Sequence, residues 1–520
     1  MKYKKYIRLL TVFLVSTQCA AQVSSLSQSP PKLILQKQSG FFRLNIDNIK
    51  MPLHIQKMGL LGVNYFADLT PVIYGGLGGY ASISGTQGGL FVLGLAGGVH
   101  KEFMSHLWGD AGIFLGGGGG HSSLVGGGLM IRPYVGLAYD LNWVKIGAHY
   151  SYISFPSGVI TSHQVGLDLD VPCNFYSIPN KDVDNFFLKM GEVILPDGNI
   201  LNFQRNDFSL FLQAYRQKKG TLGTNQKIED GTIGLVGSEL DHYMSDHLFW
   251  YVKAAGAFRG VPNGYMDVLG GLGYRISTGV PITFVPQFGL GAGGGGTVET
   301  GGGFLVNPQL GVEWPLTRNF AARVTGGYMW SPKGNLRAVS GMGTLIYHLD
   351  IATAGEKMLS LPRAYYEPQF WRINLANQTY IHPQRGFSSA NPVINLIAVQ
   401  VDQLFTPNFF FSYQGAAAFT GDHSGGLATG MIGPGLQTKP FLNQHLQLFT
   451  NFLVGAAGGG GLDVAGGAVY EPVVGLHYAL SKSIGVQASI SQLIAYHGRL
   501  NAPTVSLGFT LHFGTLNSGR

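Results

Sequence analysis

Charge is scarce in this chain of 520 residues: Asp, Glu, Lys and Arg together make up 12%, where a soluble domain carries roughly a quarter. That shortage argues against an ordinary cytosolic enzyme. The formal charge of +7 gathers at the start, because setting aside Lys2, Lys4, Lys5 and Arg8 leaves 30 basic residues against 27 acidic ones. So small an excess is no footprint for nucleic acid, and no nucleic-acid partner is expected. Cysteine is nearly absent, with Cys19 and Cys173 only. If Cys19 is lost with a leader, Cys173 stands alone, which excludes an intramolecular disulfide and a cysteine metal cluster. Long apolar runs are missing too, and without a run of about 18 such residues an ordinary transmembrane helix is excluded. Glycine is what the chain has in excess, 78 residues. It follows no three-residue period, so collagen is ruled out. With 45% apolar and 12% aromatic residues, the chain has too much to bury to stay disordered.

The first 21 residues read as a signal peptide: a basic stretch to Arg8, an apolar core Leu9 to Val15, and the small residues Ala20 and Ala21, with cleavage after Ala21. Ser16, Thr17 and Gln18 lack the pattern of a lipobox before Cys19. An exported chain that lacks spanning helices but is rich in apolar surface has one membrane-spanning solution left, a closed β-barrel.

One constellation occurs three times: glycines, a short polar break, more glycines, then a proline opening an alternating run. The copies are Gly116 to Gly120 with Gly126 to Gly128 and Pro133; Gly293 to Gly296 with Gly301 to Gly303 and Pro308; and Gly458 to Gly461 with Gly466, Gly467 and Pro472. After each proline the sequence alternates. Pro133, Val135, Leu137 and Tyr139 share one face and Arg132, Tyr134, Gly136 and Asp140 the other, the period of a strand with one apolar face. Runs of about ten such residues are what a transmembrane strand requires. In the second repeat eight runs begin near Phe208, Thr232, Leu248, Asp267, Ile282, Gly303, Phe320 and Ala338. Trp108, Trp143, Trp250, Trp314 and Trp371 sit near short-turn ends, and Trp330 near the other rim.

The alternation, the aromatic girdle and the asymmetric turns resemble Gram-negative outer-membrane β-barrel proteins. Each repeat resembles the small eight-stranded barrels typified by the OmpA transmembrane domain. The last strand, with Leu507, Phe509, Leu511 and Phe513 on one face, is similar to the C-terminal signal read by the barrel-assembly machinery in that family, although Gly514 to Arg520 follow it here. The resemblance implies an all-β, antiparallel up-and-down barrel, export through the Sec pathway, residence in the cell outer membrane, and outer-membrane lipids, lipopolysaccharide and the assembly machinery as partners. The expected division is 1–21 signal peptide, 22–40 periplasmic segment, 41–171 first repeat, 172–207 linker with a hairpin near Glu192 to Leu201, 208–350 second repeat, 351–369 linker, 370–513 third repeat and 514–520 tail. Three small barrels are favoured over one of 24 strands, because inward charges could pair across a narrow interior.

Those inward charges are Arg132, Asp140, Lys145, Arg275, Glu313, Arg323 and Glu471. In a closed lumen they neutralise one another; in an open one they set ion preference. A passive channel for small polar solutes is the first expectation. A structural or surface-exposed protein with closed barrels is the alternative, and a lipid-modifying enzyme the third. No catalytic, cofactor or metal residue is assigned. The glycine runs lack the lysine of a phosphate loop. The pairs His121 with Ser122 and His423 with Ser424, near Asp422 and Asp463, do not by spacing alone make a nucleophile, a base and an orienting group.

Overall fold

The computed structural model describes residues 33–34, 36–52, 55–178, 193–194, 201–260, 264–354, 366–386 and 393–518. The leader with Ala21 lies outside them. Wherever apolar residues alternate with small or polar ones the chain is extended, and three successive sets of eight antiparallel strands each close on themselves. The first barrel holds β1 (Gly40–Ile49), β2 (Met58–Asp68), β3 (Ile73–Ser84), β4 (Phe91–Met104), β5 (Leu107–Gly119), β6 (Met130–Asp140), β7 (Lys145–Ser154) and β8 (Thr161–Pro172). The second holds β9 (Asn206–Gln217), β10 (Thr232–Tyr243), β11 (Leu248–Arg259), β12 (Met266–Tyr274), β13 (Thr283–Gly294), β14 (Phe304–Pro315), β15 (Phe320–Trp330) and β16 (Arg337–His348). The third holds β17 (Tyr366–Tyr380), β18 (Ile394–Leu404), β19 (Phe409–Thr420), β20 (Ala428–Gln437), β21 (Leu446–Gly458), β22 (Ala468–Ala479), β23 (Ile484–Ala495) and β24 (Asn501–Ser518). The strand starts read from the second repeat fall within two residues of these.

Each barrel closes between its first and last strands: β1 pairs with β8, β9 with β16 and β17 with β24. Closure leaves no open edge. Outward side chains are apolar and exposed, as with Val135, Leu137 and Tyr139 on β6 and Leu507, Phe509 and Leu511 on β24. Alternate residues turn inward and are buried.

The three prolines repeat one device. Pro133, Pro308 and Pro472 pair with Ile113, Phe288 and Phe452 of the strand before them. Toward the strand after them the ladder skips in all three barrels: Ile131 pairs with Ser154 and Tyr134 with Ser151, Val306 with Trp330 and Gln309 with Gly327, and Tyr470 with Ile494 and Val473 with Ser491. Proline has no N–H to give, so it occupies the place where the ladder opens. In the second barrel Asn307 Nδ2 donates to Tyr328 O at 2.9 Å across the gap.

The divisions shift at their ends. Residues 514–518, read as tail, continue β24, because Gly514 to Ser518 pair with Phe370 to Tyr366. The hairpin read around Glu192 to Leu201 falls mostly outside the described residues; of the flanking residues, Val193 and Ile194 run parallel with Leu33 and Ile34, and Leu201–Gln204 pairs with Ile351–Ala354. Its turn, 195–200, lies outside the described residues.

The barrels meet in cyclic order, with the third strand of each against the fifth strand of the next: β3 on β13, β11 on β21 and β19 on β5. Glycines stand at these junctions. Gly128, Gly303 and Gly467 have φ of 98°, 95° and 99°, a region that L side chains avoid. A Cβ on them would lie 2.4, 2.5 and 2.2 Å from Ala418 O, Ser82 O and Ala257 O of the neighbouring barrel. Backbone hydrogen bonds join the same loops, Gly88 N to Gly301 O and Gly425 N to Gly126 O, both 2.8 Å.

Substituting Gly303→Val should therefore destabilise the protein by about 1–3 kcal/mol, read as a lower midpoint for thermal loss of the fast-migrating unboiled form on a gel. Gly341→Ala, where an added Cβ meets nothing within 4 Å, should leave that midpoint in place.

Candidate functional site

The inward faces are the place to look for function, since they collect the charges. An eight-stranded barrel is too narrow for an aqueous bore and is filled by side chains, so a charge inside must find its partner across the lumen. In the first barrel Arg43 on β1 forms a fork with Asp170 on β8, Nε to Oδ1 and Nη2 to Oδ2 both 2.7 Å. It also reaches Asp110 on β5, on the opposite wall, at 2.8 Å. Tyr74 Oη donates to the same Asp110 at 2.8 Å. One layer further, Arg132 Nε donates to Asp47 Oδ2 at 2.9 Å. His149 stands between Asp47 and Asp168, at 2.9 and 2.8 Å.

In the second barrel Arg323 is fully enclosed and faces Glu239, Asp241 at 3.4 Å and Glu313 at 3.9 Å. Arg275, just past β12, binds Glu313 at 2.5 Å and Tyr243 Oη at 3.2 Å. Nearer the long loops, Lys253 Nζ donates to Asn307 Oδ1 at 3.1 Å. Tyr215 and Tyr265 donate to Asp267 Oδ2 at 2.9 and 3.2 Å. In the third barrel Arg372 meets Asp402 at 2.7 Å and Gln437 at 2.9 Å. Glu471 accepts from Ser491 at 2.5 Å and Gln378 at 3.1 Å.

The charges singled out from the sequence thus lie in two kinds of place. Arg132, Arg323, Glu313 and Glu471 are buried in the lumens, and Arg275 is partly buried at the end of β12. Asp140 and Lys145 are register partners on β6 and β7, but they sit half-exposed at the short-turn rim rather than in a packed interior. Their Nζ–Oδ2 distance is 3.8 Å, and Lys145 lies 3.2 Å over the Trp108 ring. Most of the partners escaped the sequence reading: Arg43, Asp47, Asp110, Asp168 and Asp170 in the first barrel, Glu239 and Asp241 in the second, and Arg372 and Asp402 in the third. Their signal was there as polar residues alternating with apolar ones, as in Phe42-Arg43-Leu44-Asn45-Ile46-Asp47 and Glu239-Leu240-Asp241.

The loop pairs have a different geometry from a nucleophile and its base. His423 Nδ1 lies 2.6 Å from Asp422 Oδ1, and both side chains are exposed. Ser424 Oγ is buried and donates to Gly127 O and Gly421 O at 3.2 Å, binding the third barrel's loop to the first. Ser122 opens a one-turn helix, Ser122–Val125, and His121 before it contacts Gly88 O at 3.3 Å. Asp463 pairs with Arg499. Among the described residues no group of His, Cys, Asp and Glu is arranged to hold a metal.

No family model and no curated protein matches the sequence. Among solved structures the chain aligns with OccK3 of Pseudomonas aeruginosa at 8% identity and a TM-score of 0.22, over 92% of this chain and 96% of that one. The siderophore receptor PirA of Acinetobacter baumannii aligns at 10% identity and 0.27, over 93% and 81%. OccK5 of Pseudomonas aeruginosa aligns at 11% and 0.21, over 92% and 98%. Scores this low establish no shared architecture; the closed barrels are established by their own strand pairing.

Removing one partner from a buried ionic cluster strands the others, at a cost of about 3–5 kcal/mol. Arg323→Met should lower the unfolding free energy, measured by urea titration, by that order. Adding Glu239→Gln and Asp241→Asn to it, which removes the stranded charges, should recover a large part.

Proposed function

We propose that this chain is an outer-membrane protein of the Gram-negative envelope, made of three plugged barrels that serve as a membrane-embedded platform for their long loops. The observation that carries this reading is bonding through each lumen between strands that are not neighbours in the barrel wall. In the first barrel it is Arg43 of β1 held to Asp110 of β5, in the second Arg323 of β15 held to Asp241 of β10, and in the third Gln378 of β17 held to Glu471 of β22. Side chains tied across a narrow bore block solutes, and in the first two barrels the guanidinium cannot be displaced without leaving carboxylates unpaired.

The location rests on the chain's own surfaces. Apolar, exposed side chains face outward on every barrel, the backbone is paired all round, and these are the two requirements of a lipid environment. Trp108, Trp143, Trp250, Trp314 and Trp371 lie toward the short-turn rim, as an interfacial aromatic girdle would. Export through the Sec pathway, insertion by the barrel-assembly machinery and contact with lipopolysaccharide belong to the same reading, with no cofactor required.

A passive channel is the competing reading, favoured by the polar character of the inward faces. The two separate on one sample. Protein extracted from outer membranes should migrate faster before boiling than after, and in planar bilayers it should give no stepped conductance. Discrete, salt-dependent steps would overturn the plugged-barrel reading and turn the inward charges into selectivity groups; absence from the outer membrane would sink the location.

A further inference from the structure

A cavity of about 240 Å³ lies where the second and third barrels meet near the short-turn rim. Its walls are outward-facing: Phe208 of β9 and Tyr347 of β16 on one side, Trp371 of β17, Val401 and Gln403 of β18 and Tyr413 of β19 on the other. Phe208 and Tyr413 meet edge to face across the junction at 4.8 Å. The lining is almost wholly apolar, and apolar cavities of this size stay dry and take up apolar guests. One polar group breaks the pattern. Gln403 is 2% exposed; its Oε1 accepts from Tyr413 Oη at 3.3 Å, while its Nε2 has no partner. A buried amide N–H without an acceptor is costly, and Gln403 is one of the residues that line the cavity. Tyr347 and Trp371 set the height of the site. Their polar atoms are tied at the rim, Tyr347 Oη to Gln369 Oε1 at 3.1 Å and Trp371 Nε1 to Thr515 Oγ1 at 2.9 Å, as such rings are at a membrane interface. That is the level of lipid ester groups, with hydrocarbon on one side and headgroups on the other.

We propose that this cavity is a binding site for one glycerophospholipid of the leaflet facing the short turns. Its acyl chain lies between Phe208, Val401 and Tyr413, and an ester carbonyl accepts from Gln403 Nε2. The proposal rests on the membrane reading above, and it assigns the two barrels a lipid as part of their junction.

The test uses the full chain reconstituted in phosphatidylethanolamine and phosphatidylglycerol vesicles that carry a diazirine-acyl phosphatidylethanolamine. After illumination, cross-links are mapped by mass spectrometry. Labelling should concentrate on Phe208, Val401 and Tyr413, well above Leu137 and Tyr139, which face lipid on β6 near the same rim. Val401→Trp, which fills the cavity, should abolish the excess. Gln403→Leu, of similar volume, should lower it about fivefold, as the loss of one hydrogen bond does. Unboiled gel mobility checks that both variants fold. Equal labelling of the cavity and β6 overturns the site while leaving the membrane reading intact, and full labelling in Gln403→Leu overturns the role of the amide. Failure of the protein to enter the vesicles overturns both the site and the membrane reading.

Discussion

In the membrane reading proposed above, a β-strand facing hydrocarbon has nowhere to place an N–H or a C=O except on another strand, and the rest of the molecule follows from that demand. Eight strands can satisfy one another only by closing, and a closed sheet of eight leaves a lumen without room for bulk water. Every polar side chain turned inward must then be answered by another. The lumens answer in layers: Arg43 between Asp110 and Asp170, Arg132 against Asp47, Arg323 among three carboxylates, Arg372 against Asp402. The low overall charge and the dense interior clusters are two sides of one design, in which charge is kept off the outer face and, within the inner one, is ion-paired or, as at Lys253, Asp267 and Glu471, hydrogen-bonded to neutral groups.

Glycine answers a second demand. Between barrels in a lipid layer there is no hydrophobic drive to associate, because lipid tails are as apolar as leucine; what remains is close van der Waals contact and hydrogen bonding. Small residues permit both. The third strands carry Gly75, Gly76, Gly78 and Gly79, then Ala254, Ala255 and Gly256, then Gly415, Ala416 and Ala417. Their partners on the fifth strands are as small, and Gly117 faces Ala417 O while Gly256 faces Ala456 Cβ. At the loop rim the contact becomes backbone to backbone, where Gly89, Gly264 and Gly426, with φ of 86°, 83° and 92°, touch Gly295, Gly459 and Gly120 of the next barrel. Glycine is needed on both arms of the fifth-strand hairpin because its strand packs on the neighbouring barrel and the loop beyond it folds over the same neighbour.

These two demands explain what could be read from the sequence. The period of two survives in any strand with unlike faces, so the strands and the threefold repeat were legible, down to the prolines. Pro133, Pro308 and Pro472 were visible as landmarks, but their meaning, a ladder opening toward the following strand, needed the pairing. The inward charges were legible one at a time where cross-strand neighbours are close in sequence, as with Glu313 and Arg323, which face each other on consecutive strands. Arg43 and Asp110 are 67 residues apart and on opposite walls, and no local pattern joins them. The glycine runs were conspicuous as places for strand curvature or close backbone approach, but why both arms of one hairpin carry them was not legible for the same reason, since their partners lie in another repeat. The short sheets beneath the barrels, such as Leu201–Gln204 on Ile351–Ala354, have too few residues for a period to register.

A plugged lumen moves recognition elsewhere. With the inward groups bound to one another, the surfaces left to meet other molecules are the outer walls, the junctions between barrels and the long loops. The loops are not free either: Ser424 and Gly425 are bonded to Gly127 and Gly126, and Gly88 to Gly301, so the loops that follow third and fifth strands are committed to holding the ring. The other long-rim connections are those after the first and seventh strands of each barrel. Among them the 218–231 loop of the second barrel carries Lys218, Lys219, Lys227, Glu229 and Asp230, and Glu229 is buried and accepts from Thr297 Oγ1 at 2.7 Å. Division of labour among the loops is thus built into the cyclic contact: those after the third and fifth strands close the assembly, and those after the first strands brace them within one barrel, as Arg385 does by donating to Gly460 O, Asp422 O and His423 O.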